Sequence, residues 1–153
     1  IKLIDILNPK NIPGRITLIS RMGKLKTIDI IPKLVKKVND EGKIVVWSCD
    51  PMHANTYKSK TGYKTRSFDD IISEVEAFFT IHKELGTIAG GIHLEMTGSD
   101  VTECIGGAQR INEENLSDRY HTQCDPRLNA SQGIELAFRI SNALSSARTN
   151  IKK

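Results

Sequence analysis

The stretch KIVVWSCDPMHAN (Lys43–Asn55) decides how the chain is read. Its first half is a near-continuous, β-branched apolar run, the pattern of a parallel strand buried on both faces. Its second half breaks at Cys49-Asp50-Pro51. Proline has no amide to give a sheet ladder and disfavours helix in the residue before it. The strand must therefore end there and the chain turn outward, carrying Asp50 and His53 at the strand's C-terminal end. The same tripeptide returns in CDPRLNA (Cys124–Ala130), after the shorter and more polar YHTQ.

Working outward, three further strands are expected. RITLIS (Arg15–Ser20) follows the turn signal Pro13-Gly14; the others are GGIHLEM (Gly90–Met96) and YHTQC (Tyr120–Cys124). Helical spacing lies between them. In Thr27–Asp40 it places Ile28, Ile31, Leu34, Val35 and Val38 on one face, with Pro32 near the start of regular helix and Glu41-Gly42 at its end. Ser67 caps a second helix, with Asp70 three residues on. Its face is Phe68, Ile71, Ile72, Val75, Phe78, Phe79 and Leu85, and Gly86 stops it. A short helix is expected near Glu113–Arg119. Ser131 opens the last helix, with Ile134, Ala137, Phe138, Ile140 and Leu144 on its apolar face and a tail frayed from Ser145. Asp50–Arg66 reads as a long polar loop, mobile at Lys58 and Lys60.

Strand and helix thus alternate four times. That is an α/β pattern with parallel strands and right-handed crossovers. A small doubly wound sheet and half of an eight-stranded barrel both fit, since a whole barrel takes about 250 residues and this chain has 153.

Composition narrows the function classes. Apolar residues are 39% and charged residues 26%, a globular balance. The net charge of +4 is scattered and aromatics are 5%, so no nucleic-acid face is expected. No run approaches the ~20 apolar residues of a membrane span. The opening IKLIDILNPKNIPGR lacks the pattern of a signal peptide and does not begin with Met, as expected of a piece of a longer chain. Three widely spaced cysteines without a CxxC pair suit a reducing cytoplasm, with Cys49 and Cys124 filling buried strand ends.

In either architecture function sits at the C-terminal ends of the strands. Arg21 follows the first strand, Asp50 and His53 the second, Glu95 ends the third and Asp125 follows the fourth. His53, Glu95 and Asp125 are suitable ligands for a divalent ion, with His93 a competing ligand or supporting partner on the same strand face as Glu95. Other roles remain open: a backbone-bonded loop histidine for His53, and a buried salt bridge to Arg21 or Arg127 for Glu95 and Asp125. Gly106–Arg110 (GGAQR) is too short a signal for a phosphate cradle.

Taken together, PGRITLISRMG, VWSCDPMHANT, TGYKTRSFDDI, GGIHLEMTGSDVTECIGGAQ, RYHTQCDPRLNASQ and ELAF resemble the C-terminal part of the type II 3-deoxy-D-arabino-heptulosonate 7-phosphate (DAHP) synthases, from about Asn8 to Leu144. The resemblance implies a (β/α)8 TIM barrel of which residues 1–153 supply the last four strand–helix units. It implies condensation of phosphoenolpyruvate with erythrose 4-phosphate, the first step of the shikimate pathway. It further implies His53, Glu95 and Asp125 as metal ligands and Arg21 as a phosphoenolpyruvate contact. Lys64 and Arg66 match a stretch near the family's site, and Lys64 is taken with Arg21 as substrate-binding. The metal is expected to be Mn2+, with Co2+, Fe2+ or Zn2+ as alternatives. The family's fourth ligand, a cysteine, belongs to the N-terminal half, so the expected partner is that half or a homo-oligomer. The alternative is a non-catalytic half-barrel that assembles with itself or another chain.

Overall fold

A computed structural model of the chain describes residues 1–149, with side chains to residue 145. A short helix, α1 (Lys2–Leu7), leads into β1 (Thr17–Ser20), α2 (Lys24–Asp40) and β2 (Val46–Cys49). A hairpin follows, β3 (Thr56–Lys58) and β4 (Lys64–Arg66), then α3 (Phe68–Glu84), β5 (Gly91–Ile92) and α4 (Ala130–Thr149). The fold is α/β: β1, β2 and β5 form a parallel sheet in that order, with Thr17 opposite Val46 and Ser48 opposite Gly91.

The third and fourth strands depart from expectation. His93 still donates to the Cys49 carbonyl (2.8 Å), but Pro51 then takes the neighbouring chain out of the ladder, so β5 is only two residues long. Tyr120–Cys124 is not a strand. The amides of His121 and Thr122 bond the buried Glu103 carboxylate instead of a neighbouring strand. The sheet continues at one parallel bridge, Met96 to Leu128, where Leu128 donates to Glu95 O and Thr97 to Leu128 O (both 2.9 Å). The short helix expected near Glu113–Arg119 is a single 3-10 turn, Glu114–Ser117, and α4 packs directly on α3.

The polar loop is also more ordered than expected. Ser59 donates to Tyr63 O (2.8 Å), Gly62 takes φ 91°, and the hairpin pairs Thr56 with Arg66 and Lys58 with Lys64. Alternation along β4 turns Thr65 to the Glu103 carbonyl and sends Lys64 and Arg66 the other way.

Helix α2 starts at Lys24 and holds Pro32 in its interior. Proline forgoes one helical hydrogen bond, while the first turn is anchored from outside: Thr27 Oγ1 donates to Glu74 and Lys24 pairs with Asp70. The buried stripe is Thr27, Ile31, Val35 and Val38; Ile28 and Leu34, expected inside, are exposed. In α4 the inner face is Gln132, Gly133 and Leu136, with Ile140 packed beside it, not Ile134 and Phe138. The difference follows from where the helix begins. Asn129, not Ser131, forms the cap: its Oδ1 accepts from the Gln132 amide (2.9 Å) and its own amide bonds Gln132 Oε1 (3.2 Å). The Ser145 tail expected to fray continues as helix to Thr149; residues 150–153 lie outside the described residues.

Helix α3 joins two apolar clusters. Phe68, Ile71, Ile72 and Val75 meet Met52, Cys104, Leu128 and Leu136. Phe78 and Ile81 meet Ile31, Val35, Val38, Trp47 and Cys49. Ser67 caps the helix as expected, accepting from Asp70 N. Gly106 and Gly107 take positive φ and pack on Phe68 and Gln132; a Cβ on Gly107 would come 2.9 Å from Gln132 Cγ. Their role is close packing.

His82, on the same helix, is buried between Phe78 and Trp47, and only its Nδ1 is bonded, to Thr87 Oγ1 (2.7 Å). Burial pushes its pKa down from 6.5 to about 4. The folded state resists a proton that the unfolded chain accepts. This contribution to stability is complete above pH 6.5 and is lost progressively as pH falls toward 4. Between pH 7 and pH 5 the loss is about 2 kcal/mol. Urea unfolding at the two pH values should show it, and His82→Leu should flatten the difference; an equal loss in the variant would contradict it.

Candidate metal centre

The second strand delivers its histidine through a tight local network. After Cys49, Asp50 is buried, and its Oδ1 accepts from the amides of Met52 (3.0 Å) and His53 (3.2 Å). These bonds wind the chain into the 3-10 turn His53–Asn55. Asp50 Oδ2 lies 2.7 Å from His53 Nδ1. Burial raises the Asp50 carboxyl's pKa, but the two amides and His53 outweigh it and hold it below its ordinary value. Asp50 therefore accepts the Nδ1 proton, leaving the Nε2 lone pair free.

Three ligand atoms then meet. Nε2 of His53 lies 3.2 Å from Glu95 Oε1 and 3.9 Å from Asp125 Oδ2, and one ligand atom from each residue falls within 4.8 Å of the others. Glu95 is placed by the Leu128 bridge beside it, and Asp125 by Glu103 below its loop. Glu103 is fully buried, accepting from the amides of His121, Thr122 and Arg127 and pairing with the Arg127 guanidinium at 2.7 Å. Arg127, offered above as a partner of Glu95 and Asp125, is thereby committed to Glu103.

Those two carboxylates pair with the hairpin instead. Arg66 Nη1 is 2.5 Å from Glu95 Oε2, and Lys64 Nζ pairs with Asp125 Oδ1. The Lys64 ammonium holds the Asp125 carboxyl below its ordinary range. Arg66 is fully buried: its Nε donates to Thr56 Oγ1 (2.9 Å) and its Nη1 to the Pro126 carbonyl. Its Nη2 and Glu95 Oε2 are buried without a hydrogen bond and meet their partners as ion pairs, Oε2 with Nη1 and Nη2 with Asp125 Oδ2 at 3.9 Å.

Arg21 reaches the same rim, 3.7 Å from Asp50 Oδ2, with its side chain more than half exposed and open to a ligand. His93 stands beside His53, ring centroids 6.2 Å apart, outside the three-residue cluster. Cys49 is buried, its thiol pushed up to about 12, whereas Cys124 is exposed because the strand expected to bury it does not form.

The supporting roles escaped the sequence reading. Asp50 was expected at the rim but given no role, although the Asp-x-x-His spacing that lets a carboxylate reach its own histidine is a signal. Glu103 lies in Val101–Cys104, four consecutive buried residues, and an acid in such a run needs partners. Glu74 had none: midway along α3, it accepts from Met22 N, Thr27 Oγ1 and Asn55 Nδ2, tying the loop after β1 to the turn that bears His53.

The donor set fits a divalent cation: one imidazole with its lone pair exposed, two carboxylates each offering an oxygen, and a carboxylate behind the imidazole. Comparison with known proteins gives the context. The model of the class-II DAHP synthetase family matches residues 1–141. The chain is 53% identical over 144 residues to the phospho-2-dehydro-3-deoxyheptonate aldolase AroG of Mycolicibacterium smegmatis, covering 94% of this chain and 31% of that protein. It is 52% identical over 141 residues to the phospho-2-dehydro-3-deoxyheptonate aldolase of Streptomyces coelicolor, covering 92% of this chain and 31% of that protein. The chain thus spans 31% of the length of both curated relatives.

Proposed function

Because this chain belongs to the class-II DAHP synthetase family, we propose that it supplies the last four strand–helix units of a (β/α)8 barrel that condenses phosphoenolpyruvate with erythrose 4-phosphate. One observation carries this reading: His53, Glu95 and Asp125, from three separate segments, bring ligand atoms within 4.8 Å of one another. A divalent ion bound there, Mn2+ first among Co2+, Fe2+ and Zn2+, would supply Lewis acidity to an aldehyde oxygen.

The chain's own residues do the rest. His53 presents Nε2 because Asp50 holds Nδ1. Arg21 binds the carboxylate or phosphate of phosphoenolpyruvate through its planar fork and fixes the enol carbon against the aldehyde carbon. Lys64 adds a second cation for the anionic substrates. A C–C bond forms between those carbons as the aldehyde oxygen takes up a proton, water adds its oxygen to the carbon that bears the phosphate and gives up a proton, and the C–O bond to phosphate breaks so that phosphate leaves with its bridging oxygen.

The surface supports a missing half as the partner. The outer edge of β1 has no neighbour among the described residues. Leu3, Ile6 and Leu7 of α1, Ile19 of β1, and Ile134 and Phe138 of α4 are all more than half exposed. An open strand edge with Ile19 exposed on it suits a partner chain that continues the sheet. An inert half-barrel would share these surfaces but gives no reason for the ligand cluster. Among the described residues no helix is long and apolar enough to cross a membrane, and a cytoplasmic location suits the free cysteines.

The test is a hybrid synthase in which this chain replaces the matching segment of the Mycolicibacterium smegmatis relative. It should consume phosphoenolpyruvate only with erythrose 4-phosphate and a divalent ion, and lose activity to EDTA. Failure to turn over with any of the four metals, in a folded hybrid, would contradict the proposal.

A further inference from the structure

Resting on the metal-centre reading above, we propose that the two cations of β4 act on the metal in opposite senses. Arg66 is a positioning residue that fixes the ligand oxygens. Lys64 is an exchangeable place-holder that metal binding releases from Asp125 to receive an anion.

Each carboxylate divides its two oxygens between partners. Glu95 turns Oε1 to His53 and Oε2 to Arg66; Asp125 turns Oδ2 to His53 and Oδ1 to Lys64. One oxygen of each thus faces His53, and Arg66 spans the pair, its Nη2 also lying 3.9 Å from Asp125 Oδ2. The two holders differ in permanence. Arg66 is 0% exposed and anchored at Thr56 Oγ1 and the Pro126 carbonyl. Lys64 is 50% exposed, and its ammonium has no other partner among the described residues. A buried, multiply anchored guanidinium holds geometry; an exposed ammonium gains little from its pair and leaves at low cost.

Charge counting supplies the direction. Without metal, Glu95 and Asp125 carry two negative charges against two positive charges on Arg66 and Lys64. A divalent ion adds two more positive charges to the same rim. Arg66 cannot move away, but Lys64 can. The surplus is relieved when Lys64 leaves Asp125 and when an anion arrives beside it. Metal and phosphoenolpyruvate should therefore bind cooperatively, and Lys64 should couple them.

The test measures Mn2+ affinity of the hybrid synthase by isothermal titration at low ionic strength, with and without phosphoenolpyruvate. Lys64→Met should bind Mn2+ tighter, by about fivefold, and should lose most of the metal-induced gain in phosphoenolpyruvate affinity. Arg66→Lys should bind Mn2+ about 10–100-fold more weakly. Thr56→Val keeps Arg66 but removes its Nε anchor; it guards against misfolding of the arginine variant and should weaken Mn2+ in the same direction by a smaller factor. Opposite signs for Lys64→Met and Thr56→Val support the proposal. Equal signs, or no change in either, overturn it while leaving the metal-centre reading intact. A folded wild-type hybrid that binds no Mn2+ overturns both.

Discussion

His53→Ala is expected to remove metal-dependent turnover in the hybrid synthase, lowering kcat/KM by about a thousandfold or more, the several kcal/mol that Lewis-acid stabilisation is worth. The histidine gives the cluster its one nitrogen, and Asp50 spends both its oxygens on presenting it. No neighbour can stand in: His93 lies outside the group of ligand atoms. His53 is partly exposed and outside both apolar clusters, so the urea midpoint should move little. Retention of more than about a tenth of the activity would place the metal elsewhere.

Glu103→Gln should cost about 3–5 kcal/mol of stability, although it changes one atom. The carboxylate accepts from three backbone amides and, two-pronged, from Nε and Nη2 along one edge of the Arg127 guanidinium. An amide group sets its own NH2 against some of those donors and leaves Arg127 without a counter-charge. Burial raises the Glu103 pKa, but Arg127 and the amides outweigh it and bring it below 4.5. A carboxylate with a depressed folded pKa stabilises fully above its unfolded value and loses that contribution as pH falls. The variant should therefore be most destabilised at neutral pH and converge on wild type in acid. Urea midpoints at pH 7 and pH 4 measure this; a loss under about 1 kcal/mol at pH 7 would contradict it. Because Glu103 also shapes the loop that carries Asp125, Mn2+ affinity should fall in the same variant.

The parts legible in sequence are those in which one segment carries its own instruction. KIVVWS is a strand by its apolar run, and Cys-Asp-Pro ends it by proline's missing amide. Strand direction alone is enough to expect His53, Glu95 and Asp125 on one rim, and one ligand atom from each does lie within 4.8 Å of the others, although Asp125 arrives on a loop and not at the end of a strand. What escaped depends on distant partners. Tyr120–Cys124 has strand-like residues, but a carboxylate from residue 103 takes its amides. Phe138 and Ile134 have helical spacing, yet the cap at Asn129 and the packing on α3 turn Leu136 inward. Arg66 looks like one more basic loop residue until the hairpin buries it against Glu95.

The most direct measurement is the anomalous scattering of Mn2+ in crystals of the hybrid synthase. The expected result is one peak within bonding distance of His53 Nε2, Glu95 Oε1 and Asp125 Oδ2, with Arg66 still on Glu95 Oε2. A fully loaded crystal with no peak among these three atoms, or with Mn2+ held by His93 in place of His53, would contradict the metal centre on which the function rests.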